Sequence, residues 1–162
     1  MSNRFDPELP GLIKGEVTRV AVIDPGYFGN PPGNLVLNPD QDFTIEMDWN
    51  LDDPLAPLWL AALAGNWVVT AYAESVGPGP DLLVATVNVP TASAVSAGVK
   101  RSFTATLTVP AGTLPEENPG DPTRSGVYDI VLTTFLNSNL GTAGYDIMGF
   151  ADGPRVKVEN PD

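Results

Sequence analysis

Between Asp42 and Leu51 apolar and polar residues alternate without a break. Phe43, Ile45, Met47, Trp49 and Leu51 fall on one side of an extended chain; Thr44, Glu46, Asp48 and Asn50 fall on the other. Side chains on a strand repeat every second residue, so this stretch predicts a strand with one buried face and one wet face. It commits the chain to a sheet that packs another layer over its apolar side.

The same signal recurs. Gly15–Ile23, Trp67–Val76, Leu82–Val89 and Lys100–Val109 each read as strands, and Ser102, Thr104, Thr106 and Thr108 form an outward hydroxyl row on the last of them. Ser125-Gly126 opens a further strand to Leu136. Its inward residues are Tyr128, Ile130, Leu132 and Leu136. Tyr145–Phe150 and Arg155–Glu159 read as one strand interrupted at Asp152-Gly153-Pro154, because proline cannot donate to a ladder. Sixteen glycines and seventeen prolines punctuate the chain, mostly between the apolar runs, where they mark turns. Asp53-Pro54 offers a helix N-cap and an N1 proline, and Leu55–Ala64 predicts one short helix that Gly65 stops.

This pattern predicts an all-β, antiparallel β-sandwich of about seven strands with one short helix near residues 54–64. Residues 15–160 form a single domain, and residues 1–14 form an extended N-terminal arm, since Pro7 and Pro10 disfavour a helix there. Trp67 on the third strand, and Tyr128 just inside a late strand, resemble the core tryptophan and the tyrosine corner of the immunoglobulin-like superfamily. The resemblance is one of architecture. It implies two packed antiparallel sheets and carries no activity with it. The superfamily's inter-sheet disulfide is missing, because the chain has no cysteine; Ile130 stands where the second cysteine of that pair would fall.

Composition excludes much chemistry. The net charge is −12 with eight Lys and Arg, which argues against nucleic acid and anionic membrane surfaces as partners. There is no histidine, so the commonest general base and metal ligand are missing. Ala73-Glu74-Ser75-Val76-Gly77 approaches a nucleophile elbow, but nothing of the usual kind could activate Ser75. Glu46 and Asp48 share a strand face, with Glu74 expected on the neighbouring strand; a solvated acidic face explains all three. The sequence predicts no enzyme and no cofactor. The metal reading left open is a structural calcium site, since oxygen ligands alternate in Asn38-Pro39-Asp40-Gln41-Asp42 and again in Asp48–Asp53; Asp40, Asp42 and Asp52 are the candidate ligands.

Two groups of apolar residues do not fit a closed sandwich. Phe5, Leu9, Leu12 and Ile13 lie in the arm. Val127, Val131 and Phe135 alternate with the core residues of their strand and should point away from the interior. They predict either cover from within the chain or a contact with another protein, its own copies included. The sequence therefore predicts a non-catalytic structural or interaction protein that self-assembles or docks a protein partner, with residues 4–13 of the N-terminal arm as the strand that could add to a neighbour's sheet edge. The alternative is a calcium-dependent or carbohydrate-binding module, drawing on Tyr27 and Phe28 as exposed aromatics between glycines. No apolar run is long enough to span a bilayer. The polar N-terminus lacks a signal peptide and reads as cytoplasmic; a chain from which a signal had been removed would read the same and be extracellular.

Overall fold

The computed structural model describes residues 5–6, 9–24, 35–140 and 146–160. Those residues form ten strands and one α-helix: β1 (Phe5–Asp6), β2 (Lys14–Ile23), β3 (Val36–Leu37), β4 (Phe43–Asp52), α1 (Ala56–Leu63), β5 (Asn66–Ser75), β6 (Leu82–Pro90), β7 (Val95–Ala97), β8 (Lys100–Val109), β9 (Val127–Asn137) and β10 (Ile147–Val158). The larger sheet has the order β1-β10-β9-β5-β6, with β3 added parallel to β10; the smaller has the order β2-β4-β8-β7. All other pairings are antiparallel.

The strand count corrects the expectation of about seven. The additions, β1, β3 and β7, are two or three residues long. Each is held by the backbone of a long neighbour, and so short a piece leaves no periodicity of its own to read. The interruption at Asp152-Gly153-Pro154 is a register shift between Asp152 and Arg155 within one continuous β10. A bulge there lets the strand carry a proline without losing its pairing on either side.

The helix start also differs from the expectation. The N-cap is Leu55, with no side-chain cap, and Asp53 sits at φ +78° before it. The Asp53 carbonyl accepts from the Ala56 N–H at 3.1 Å, so a backbone turn replaces the aspartate cap. Ala56, Leu60 and Leu63 are buried, which seats α1 on the core where the chain crosses from the smaller to the larger sheet.

Aromatic rings join the two sheets. Trp49 on β4 stacks on its cross-strand partner Phe103 on β8, with centroids 5.4 Å apart and planes at 17°. Trp67 on β5 meets both edge-on, at 5.7 Å and 5.5 Å. Such pairs contribute about 0.5–1.5 kcal/mol each beyond the area they bury. Ile45, Met47, Leu107, Ile130 and Leu132 extend this core along the alternating inward positions of both sheets.

Candidate interaction face

The outward face of the larger sheet is built by register. Residues directly opposite one another on paired strands point to the same side. Met148, Phe135 and Val68 therefore form one row across β10, β9 and β5. Phe150, Thr133, Thr70 and Thr86 form the next, continuing onto β6. Asp152, Val131, Tyr72 and Leu83 form the third. Arg155, Asp129 and Glu74 close the face at its charged end.

Apolar groups on this face remain open to solvent: Phe135 is 38% exposed, Phe150 43%, Met148 49% and Leu83 61%. Val131, on the same face, is buried, and Val127 is partly buried at the far end of β9. The outward face of the smaller sheet is the contrast. There Thr44, Glu46, Asp48, Thr104, Thr106 and Thr108 share positions on β4 and β8, and Arg19 bonds both Glu46 (2.5 Å) and Asp48 (2.6 Å). One sheet face is wet and ion-paired; the other carries aromatic and aliphatic side chains.

The charged end of the larger sheet is ordered by a bidentate pair. Arg155 Nε donates to Asp129 Oδ1 at 2.7 Å, and its Nη2 donates to Oδ2 at 2.9 Å. The guanidinium holds the Asp129 carboxyl below the usual carboxylate range, chiefly through these hydrogen bonds.

The sequence-derived candidates separate clearly. Val131 and Phe135 belong to the face just described. Phe5 and Ile13 are buried in the core of their own chain, whereas Leu9 and Leu12 are exposed beside it. Glu74 is not a neighbour of Glu46 and Asp48: it lies in the other sheet, opposite Asp129. Asp40, Asp42 and Asp52 do not converge. The Asp40 N–H donates to Asn38 Oδ1, Asp42 Oδ1 accepts from the Ala111 N–H, and Asp52 Oδ1 accepts from the Asp53 N–H, each at 2.8 Å. These are turn and loop contacts, and no group of three or more acidic side chains among the described residues is placed to hold a metal. Tyr27 and Phe28 lie outside the described residues.

Met148, Phe150, Val68, Tyr72 and Leu83 extend the face beyond the residues that the sequence predicts for it. Met148 and Phe150 did carry a signal, since they alternate with the inward Ile147 and Gly149. What the sequence lacks is the pairing that sets them beside Phe135 and Thr133.

Among the described residues no helix is long and apolar enough to cross a membrane. No protein-family model matches this sequence, and no curated protein matches it significantly.

Proposed function

We propose that this protein is a non-catalytic, immunoglobulin-like β-sandwich that works by docking a protein surface, a second copy of itself in the first instance, on the outward face of its larger sheet. The architectural part draws on three observations. The four-strand series β10-β9-β5-β6 packs against β2-β4-β8-β7, an order in which chain-adjacent strands repeatedly change sheets. Trp67 is buried at the centre of the core on β5. The Tyr128 hydroxyl reaches back to the backbone upstream of its own strand.

The functional part is carried by a single observation, the exposure of Phe135, Met148 and Phe150 side by side on the paired strands β9 and β10, on the same sheet face as the exposed Leu83 of β6. Scattered apolar residues are ordinary on a protein surface, but two exposed phenylalanines and a methionine adjoining on paired strands match the composition of an interface centre. Thr133, Thr70 and Thr86 supply polar groups within it, and Glu74, Asp129, Arg155 and Asp152 supply a charged rim.

Light scattering tests the reading. The expected result is a solution mass above 17.1 kDa that rises with concentration and returns to the monomer in Phe135→Glu and Phe150→Glu chains that melt like the parent. A parent that stays monomeric up to millimolar concentration removes self-docking through this face.

A further inference from the structure

Arg101 stands at a core-facing position of the smaller sheet. It lies opposite the buried Leu51 on β4 and opposite Ser96 on β7, and paired residues point to the same side. Phe103, two residues further along β8, faces the same way and is buried. A charge on the core side of a sheet calls for a partner. Arg19, Arg124 and Arg155 each hold a carboxylate. Among the described residues Arg101 is the one arginine that holds none, in a chain with twenty Asp and Glu. Its Nη1 donates to the Gly98 carbonyl at 2.8 Å and to the Lys100 carbonyl at 3.0 Å, which fixes the guanidinium against the β7–β8 turn. Nε and Nη2 make no hydrogen bond among the described residues.

The partly buried guanidinium borders a groove of about 410 Å³ lined by α1 and the β6–β7 connection. From α1 come Pro57, Leu60, Ala61 and Ala64, a spacing that is one face of a helix. From the connection come Ala92 and Ala94, on and just after the 3₁₀ turn Thr91–Ser93. Backbone acceptors around the groove are engaged. The Leu60 carbonyl accepts from the Ala64 N–H at 2.9 Å, and the Gly65 carbonyl accepts from the N–H and the hydroxyl of Thr91, each at 3.1 Å. Among the described residues no acidic side chain lines the groove. The polar groups left facing it are the open edge of Arg101 and the exposed Ser96 hydroxyl.

We propose that this groove is a small-molecule site whose ligand is a carboxylate carried on a short apolar body. Small-ligand clefts span roughly 300–1,000 Å³, are mostly apolar and hold a few placed polar groups, and this groove matches in size and in kind. Nε and Nη2 of an arginine form a fork that fits both oxygens of one carboxylate. Arg155 grips Asp129 with the same two nitrogens in this protein. A cationic ligand would be repelled by Arg101, and a neutral one would leave its fork unused. The α1 face from Pro57 to Ala64 is roughly 10 Å long, which sets the length of the apolar body. The site involves none of Phe135, Met148 and Phe150, so it stands whether or not the outward face docks a second copy.

Octanoate is the probe. The full-length, isotope-labelled protein is titrated with sodium octanoate and followed through its amide resonances. The expected result is a saturable shift centred on residues 60–64 and 92–101, with a Kd at or below about 1 mM. Arg101→Gln is expected to weaken binding about tenfold or more, because a charge-assisted fork becomes a single neutral donor. Ala61→Phe, which fills the groove from an exposed helix position and leaves Arg101 in place, is expected to block binding. Octylammonium, with the same body and the opposite charge, is expected to give no saturable shift at these amides. Binding of octanoate that is unchanged in either variant overturns the inference, as does an equal response to octylammonium. No saturable shift at these amides up to about 10 mM octanoate overturns it too.

Discussion

The Tyr128 hydroxyl donates a 2.9 Å hydrogen bond to the Pro115 carbonyl, thirteen residues upstream. Tyr128 is buried, and burial raises its phenol above the usual range, so the group stays a donor at all ordinary pH. The bond pins the long β8–β9 connection to the strand it leads into, beside the buried Leu114. Tyr128→Phe keeps the ring and leaves the carbonyl without its donor. The expected cost is about 1 kcal/mol, read as a lower denaturant midpoint at unchanged slope. An unchanged midpoint would mean that the connection is held by its other contacts, among them the 3.0 Å Ser75–Ser125 hydroxyl pair.

Thr134 is the counterexample on the same strand. It points inward from β9, is fully buried, and its hydroxyl has no hydrogen-bond partner among the described residues. A buried hydroxyl without a partner destabilises, and valine has nearly the same shape. Thr134→Val is expected to raise stability by about 1 kcal/mol, measured by the same denaturant titration. A loss of stability would instead assign the hydroxyl a partner that matters.

Most long strands were legible because each has a sided pattern. Phe43–Leu51 and Lys100–Val109 alternate so regularly that face and length can both be read from the sequence, and the structure places them side by side with Trp49 opposite Phe103. The outward apolar stripe of β9 was legible for the same reason. Its extent was not. Phe135 joins Met148 and Val68 through pairings between strands far apart in sequence, and local periodicity holds no record of register. The acidic group was misread on the same ground: Glu74 shares strand character with Glu46 but belongs to the opposite sheet. Arg19, which pairs with both Glu46 and Asp48, reaches them past a register shift between Val17 and Arg19 that no sequence signal marks.

The Asp129–Arg155 pair predicts a specific acid dependence. Asp129 titrates below its unfolded value, so the pair stabilises the fold at pH above the unfolded carboxylate range and loses that contribution as pH falls through the folded value. Both side chains are substantially solvent-accessible, which keeps the effect small and salt-sensitive. Asp129→Asn is expected to flatten part of the acid limb of a stability-against-pH curve while leaving the neutral-to-basic limb parallel to the parent. An acid limb identical to the parent's would place the dependence on other carboxylates.

Salt separates the apolar face from charge-driven association. Each copy carries a net charge of −12, so bringing two together is opposed by repulsion at long range. Screening shortens that repulsion to about 8 Å at physiological ionic strength and would leave the proposed contact through Phe135, Phe150 and Met148 intact. Self-association is therefore expected to tighten as sodium chloride rises from about 0.05 to about 0.5 M, measured by sedimentation equilibrium. Phe135→Glu removes an aromatic anchor and adds a like charge at the centre of the contact. Its expected cost is about 2 kcal/mol or more of association free energy, roughly thirtyfold in Kd, at both salt levels. Association that weakens with salt would instead locate the contact in charged groups, and Phe135→Glu would then have little effect.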